Sequence, residues 1–582
     1  MNTLKKYVFC FVALITTAVI TSCNSNIDLD AEGIIVAGNY WTTPNDYDNA
    51  LNSVYARLNT GDGGSRIQWL DGVTDDGVVT HSWNQGFQLS RGTANSSEGL
   101  ASNRWNWGYI SVQRANNIIT NIDTYAWPGG TSDATRNQYL GEARTLRAYF
   151  YLELAGLFGN ILFYETNPAT LDEADQIPQV EPKVVFDFVI KELGEAIAGL
   201  PDSPANSSKI GKPAARLLRA RAAAYAAGYL SDDSYWTVVL SETAELMKTA
   251  QLADNFDALF KTGNESLPEV ILAKTYAEVA KNDFGNWYNN SAGGYCVTTP
   301  TKALVDAFEY IGEQVPNMPY INKEPRFYST ILAPGMIFRG KYYNTIHNNT
   351  VVIAGKTYFK TGQDYGDYYG QDIEVAHGDV LGEAGGGEWN KTPSGLSYMK
   401  YYNEPVTWSP WNSLALLRYA EAYLLRAEAL VETGGSVDEA KSLIKALRDR
   451  AGNTNDLETA LAGTYKGNLL DMVRNERRIE LAQEGLRLFD IRRWKILLDV
   501  MNKPVGGAEY RYYPNEDEAS AGMKVHYYIQ DPHGNNSLNA PYTGPSTVRV
   551  PLTDKYYWWP IPLGEMDLDA NRTKRIKQNP DW

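Results

Sequence analysis

The chain runs to 582 residues, 43% of them hydrophobic, and its 53 Lys and Arg against 69 Asp and Glu leave a formal net charge of −16. That length is ample for one or more buried cores, and the acidic balance argues against a nucleic-acid partner, whose phosphates it would repel. A mean hydropathy of −0.38, with the long apolar run confined to the N-terminus, excludes a polytopic helical membrane protein. Aromatic residues make up 12% of the chain, with 39 Tyr, 15 Trp and 16 Phe, so Tyr exceeds what a core needs. Tyr and Trp join a flat apolar face to a polar edge, and in excess they suit exposed recognition surfaces.

In chain order, Lys5 and Lys6 precede an apolar stretch from Tyr7 to Ile20 that is too short to span a bilayer core of about 30 Å. Residues 1–22 read as a secretory signal peptide. The stretch closes on Val19-Ile20-Thr21-Ser22-Cys23, small residues before a cysteine, which resembles the lipobox of bacterial lipoproteins. That resemblance implies lipidation of Cys23 and a tether over residues 23–38; the plainer alternative is an ordinary signal peptide with an incidental cysteine. Cys10 leaves with the signal and Cys23 is taken by lipid, so Cys296 has no cysteine left to pair with.

Helical periodicity follows in two blocks. In the first, Trp105, Tyr109, Val112, Asn116, Ile119 and Ile122 recur at helical steps, as do Leu140, Ala143, Leu146, Phe150, Leu154 and Leu157, with Gly159 as a helix stop. Pro182 to Leu200 and Pro213 to Leu230 each open with proline, and Ser234 to Ala250 reads as the partner of the latter. The second block starts near Trp411, where Leu414 to Leu430 is nearly all good helix former, with Val437 to Ala451 as its antiparallel mate. Between the blocks, Gly, Asn, Asp and Tyr displace the periodicity. The predicted fold class is mainly α: tetratricopeptide-like helical hairpins forming a scaffold, with a loop-rich insertion and few short strands. The expected boundaries are 39–260 for an N-terminal helical region, 261–410 for a loop-rich ligand-binding insertion and 411–582 for a C-terminal helical region.

Several segments carry a family resemblance. They are Asn103-Arg104-Trp105-Asn106-Trp107-Gly108-Tyr109 running into Arg114-Ala115-Asn116-Asn117, Glu142-Ala143-Arg144-Thr145-Leu146-Arg147-Ala148-Tyr149-Phe150 before Phe158-Gly159-Asn160, and Glu324-Pro325-Arg326-Phe327. Further on come Leu417-Arg418-Tyr419-Ala420-Glu421, Arg474 to Leu481 with Asp490-Ile491-Arg492-Arg493-Trp494, and the ending from Trp559-Pro560-Ile561-Pro562 to Asn579-Pro580. Each motif alone is weak, but in this order they resemble the SusD/RagB family, the surface lipoproteins of Bacteroidetes nutrient uptake. The acidic run Asp28-Leu29-Asp30-Ala31-Glu32 is similar to surface-export signals of such lipoproteins, and Asn24 in place of Asp leaves out the common inner-membrane retention signal. The resemblance implies a non-catalytic, lipid-anchored, cell-surface protein of the outer membrane. Such a protein would bind an oligo- or polysaccharide and work with a SusC-like TonB-dependent transporter, and no cofactor is implied.

Other chemistries fit less well. The five histidines show no i,i+4 pairing and no HExxH, so no metal site is expected there. Asp71, Asp75, Asp76 and Gly77 form an acidic loop without EF-hand spacing. Arg477, Arg478, Glu480, Glu484 and Arg487 mark helix faces and read as scaffold. A glycoside hydrolase needs two suitably spaced carboxylates, which 69 acidic residues could supply by chance, but no repeating βα unit presents them. A protein-interaction scaffold or adhesin without glycan binding is the other alternative.

The aromatic residues divide in two. Trp105, Trp107, Trp494, Trp558 and Trp559 lie in periodic or motif segments and read as core. Trp83, Phe87, Trp287, Tyr288, Tyr295, Tyr365, Tyr368, Tyr369 and Trp389 lie in loops rich in Gly, Asn and Asp. Sugar rings present C–H-rich faces that stack on aromatic rings while amides and carboxylates take the hydroxyls. The expected ligand contacts are therefore Trp83, Phe87, Trp287, Tyr288, Tyr295, Tyr365, Tyr369 and Trp389, with loop packing as the alternative for each.

Overall fold

A computed structural model describes residues 40–582 apart from 60–66, 280, 290–291, 315–318, 335, 340, 344–349, 354–355, 360–374, 377–391, 393, 404–409, 513–523, 528–548, 571 and 573–574. The principal helices are α1 (Pro44–Tyr55), α2 (Gly99–Asn121), α3 (Thr131–Phe158), α4 (Pro182–Gly199), α5 (Lys212–Leu230), α6 (Trp236–Met247), α7 (Tyr419–Glu432), α8 (Val437–Ala451) and α9 (Leu469–Glu480). Each packs on its successor from α2 to α8, and α9 returns against α7. The fold is thus mainly α, built of tetratricopeptide-like hairpins, and the α6–α7 contact joins the two sequence blocks across the long intervening segment.

Local chemistry explains the helix limits. Ser436 caps α8 by accepting from the Glu439 N–H, acidic Asp438 and Glu439 occupy its first turn, Arg448 and Arg450 its last, and Gly452 stops it in the left-handed region. Pro182 and Pro213 stand in the first turns of α4 and α5, where a missing N–H costs nothing. On α5, buried Ala220, Ala222, Ala223, Ala224, Ala226 and Ala227 let neighbouring backbones approach, which makes it the centre of the largest core cluster.

One expectation fails locally. Leu414 to Leu430 is not one helix. Leu414–Arg418 is a strand paired antiparallel with Val270–Lys274, with Leu414 opposite Lys274 and Arg418 opposite Val270. The ladder is continued by the Tyr419 N–H donating to the Glu269 carbonyl, and only then does α7 begin. Leu, Ala and Arg favour helix, but a short apolar run is ambiguous on periodicity, and pairing across the chain decides it.

The motif charges form a buried lattice. Arg326 donates from Nη1 to Glu476 (2.6 Å) and Glu480 (2.8 Å), and Arg418 reaches Glu269, Glu480 and Glu484. Arg221 and Arg477 share Glu421, while Arg493 holds Glu428 and Asp490. Every member is almost dry, and at Glu421, Glu428, Glu480 and Glu484 the cationic partners hold the carboxyl below its usual range against burial, as Arg418 and Lys400 do at Glu484. These residues are scaffold, but only Arg477, Arg478 and Glu480 share the α9 helix; Glu484 lies in the turn after it and Arg487 opens the next helix, so the expected Glu480–Glu484 helix face is not formed.

The acidic loop is drawn into the same lattice. Arg478 and Arg487 bind Asp75, Arg478 also binds Asp76, and Asp71 accepts from the backbone N–H groups of Gln483 and Gly485. Among the described residues no group of three or more His, Cys, Asp or Glu side chains could hold a metal ion, and no helix is long and apolar enough to cross a membrane.

Candidate functional site

A short ladder brings two aromatic loops together. Strand Gly77–Val79 pairs antiparallel with Thr298–Pro300, in the register Gly77 to Pro300 and Val79 to Thr298. Beyond the strands the Thr80 N–H donates to the Val297 carbonyl at 3.0 Å, the Thr80 hydroxyl to the Cys296 carbonyl, and the Asn84 amide to the Val297 carbonyl at 3.4 Å. These bonds hold the Trp83 loop against the loop that ends in Tyr295 and Cys296.

Trp83 is 61% exposed and stacks on His81, with ring centroids 4.5 Å apart and planes 8° from parallel. Stacking holds the indole in place while much of its surface stays exposed, which suits contact with the apolar face of a sugar. Burial and the nearby Arg91 charge push the His81 imidazole down to about 4, so the stack is uncharged at neutral pH. Polar atoms flank it: Asn84 and Gln85 are half-buried, and Gln85 accepts from the Asn103 amide at 3.1 Å.

Tyr295 is 38% exposed where a turn closes. The turn closes through Gly294 N–H to the Asn289 carbonyl and Cys296 N–H to the Tyr288 carbonyl. A Cβ at Gly294 would lie only 2.2 Å from the Tyr288 carbonyl oxygen, so only glycine fits there. Tyr295 is thereby held on a braced backbone.

The other expected contacts fall out differently. Phe87 opens the short helix Phe87–Arg91, is half-buried against the main core, and carries the Arg91 guanidinium 4.9 Å from its ring centroid. Trp287 and Tyr288 are corrected to interior residues: they are 4% and 3% exposed. The Trp287 ring meets Trp69 edge-on at 5.4 Å, and the Tyr288 hydroxyl donates to the Tyr401 carbonyl at 2.8 Å. A ring without an open face has nothing to offer a sugar plane, and their Gly/Asn-rich surroundings reflect tight turns in a packed interior. Tyr365, Tyr369 and Trp389 lie outside the described residues, as does Cys23. The sequence reading missed His81, weighed only as a metal ligand, and because the strand ends at Val79 no period of two marks it as the ring that stacks on Trp83.

Comparison with known proteins agrees with the fold. The model of the SusD family matches residues 268–582, and a second family model, described as starch-binding associating with outer membrane, matches residues 41–227. SusD-like protein P2 of Formosa agariphila is 24% identical over 516 residues, which is 85% of this chain and 91% of that protein. A SusD-like carbohydrate binding protein from Bacteroides fragilis superposes with a TM-score of 0.69 at 22% identity, over 91% of this chain and 98% of that one. Surface glycan-binding protein A from Bacteroides thetaiotaomicron, solved in complex with laminarihexaose, superposes with a TM-score of 0.61 at 18% identity, over 92% of this chain and 100% of that one. Since the first model spans more than half of the sequence and contains the Arg326, Arg418 and Glu480 lattice, the chain belongs to the SusD family.

Proposed function

We propose that this protein binds an oligo- or polysaccharide at the cell surface, without cleaving it, and passes it to a SusC-like TonB-dependent transporter in the outer membrane. The observation that carries the reading is the Trp83–His81 stack, uncharged and largely exposed, on a loop hydrogen-bonded to the one that carries exposed Tyr295. Two comparisons support it: a family description that names starch binding and the outer membrane, and a structural neighbour solved with laminarihexaose. On this reading residues 23–38 form a lipidated tether from Cys23, and the 261–410 segment joins the Trp83 loop in meeting the ligand. A transporter is required because a polar glycan does not cross lipid unaided.

The test is a glycan-array screen followed by calorimetry. Trp83→Ala is expected to weaken binding by about 1–3 kcal/mol, roughly 5- to 150-fold, the cost of losing one well-placed stacking ring. Trp287→Phe should leave affinity within about twofold, since that ring is interior. Unchanged affinity in Trp83→Ala would move the platform elsewhere, and new reducing ends on incubation with glycan would replace binding by hydrolysis.

A further inference from the structure

Beneath the Tyr295 loop, four segments distant in sequence meet around a small cavity. Its walls include the rings of Phe284, Trp287, Tyr398 and Tyr401 and the carboxamides of Gln68 and Gln483. Gln68 is 1% exposed, Gln483 2%, Tyr401 3% and Trp287 4%. Yet Gln68 Oε1 and Nε2, Trp287 Nε1, the Tyr401 hydroxyl and Gln483 Oε1 find no hydrogen-bond partner among the described residues. Buried polar atoms are almost always partnered, and here five unpartnered ones belong to residues that line one cavity.

The chemistry of the walls selects the occupant. Trp287 can only donate, Gln483 Oε1 can only accept, and Gln68 and Tyr401 can do either. No charged side chain is among the wall residues, which leaves an ion without a counter-charge. The space open to the centre of a water molecule is about 10 Å³, close to the volume one water needs and far below that of a sugar ring. We infer that the cavity is a binding site for one ordered water, which accepts from the Trp287 indole, donates to Gln483 and completes its shell with Gln68 and Tyr401.

Such a water is a clip. It ties the 3₁₀ turn Phe284–Trp287, just upstream of the Tyr295 loop, to Gln483 in the turn after α9, whose own N–H donates to Asp71. A bridging water of this kind is nearly as good as a direct bond and tolerates small misalignments that a direct bond would not. The inference does not depend on any ligand at the Trp83 stack.

Two measurements test it. A crystal structure at a resolution that reveals waters should show a single water-sized peak within hydrogen-bond distance of at least three of the four side chains. In solution, protein carrying isotope-labelled indole N–H groups should show a cross-relaxation peak between bound water and the Trp287 indole, assigned by its loss in Trp287→Phe. The paired change Gln68→Met and Gln483→Met should abolish that peak and shift the Trp287 resonance while the other indole signals stay in place. An empty cavity, a Gln68 carboxamide turned to bond Trp287 directly, or density larger than one water would each overturn the inference. If the double variant does not fold, the wild-type crystal structure alone decides.

Discussion

At the scale of single residues, Asp71 links chemistry to stability. Burial pushes its carboxyl up to about 8, the Asp76 charge adds to the effect, and the N–H groups of Gly485 and Gln483 offset part of it. A folded-state value raised above the unfolded one of 3.8 means that folding takes up a proton, so the stabilisation is complete at low pH and lost as pH rises through about 8. His81, lowered to about 4, and Lys400, lowered to about 8, change stability in the opposite sense, below and above that range respectively. Between pH 6.5 and 8, Asp71 should therefore cost the wild type up to about 1.4 kcal/mol per pH unit, and Asp71→Asn should flatten that slope. Thermal unfolding of both proteins across the interval checks it; parallel slopes would mean Asp71 is ionised in the folded state. None of this was legible in the sequence, where Asp71 reads as one carboxylate of a loop. Its burial is made by Gln483 and Gly485, more than 400 positions away, a distance that no local pattern encodes.

Among the elements, the helices were legible because they write themselves locally, by apolar period, by Pro182 and Pro213 at their starts, and by Gly159 and Gly452 at their ends. Leu414–Arg418 was misread because its strand state is imposed by Val270–Lys274. The same tension between local preference and tertiary contact yields a prediction on α5. Replacing a glycine inside a helix by alanine ordinarily stabilises it by about 0.8–1.0 kcal/mol. At Gly228, however, a Cβ would sit 2.5 Å from the Arg493 carbonyl oxygen, and Arg493 is pinned by Glu428 and Asp490. Gly228→Ala should therefore destabilise by about 1–3 kcal/mol. Gly564→Ala, in the helix Leu563–Ala570 with open space around its Cβ, should be neutral or mildly stabilising. Denaturant midpoints separate the two; a stabilised Gly228→Ala would show that the α5 contact can yield.

For the whole molecule, the proposed function turns on attachment and partnership. Two acyl chains on Cys23 would anchor firmly, each buried methylene contributing about 0.8 kcal/mol, whereas the described residues contain no membrane-length helix. Cys23→Ala should accordingly move the protein from the membrane fraction to the soluble fraction, and a variant still held in the membrane would sink the anchor. Mild-detergent pull-down from native outer membranes, after growth on the bound glycan, should recover a large barrel protein in stoichiometric amount. Recovery of this chain alone would favour a free-standing adhesin. At this scale the architecture was readable from motif order, because buried ion lattices demand particular residues at particular spacings. The binding surface was readable only in part: Trp83 and Tyr295 are exposed, whereas Trp287 and Tyr288 share the same loop-like composition and are interior.

The ladder between Gly77–Val79 and Thr298–Pro300 also bears on how such a surface can be re-engineered. Because Thr80, Asn84, Cys296 and Val297 stitch the two loops together, neither is an independent cassette. A chimera that imports a relative's first loop alone would set foreign strand edges against native partners and misalign both rings. Exchange of ligand preference should therefore require the two segments to be transplanted as a matched pair, and natural recombination with a single crossover between them would tend to produce blind receptors.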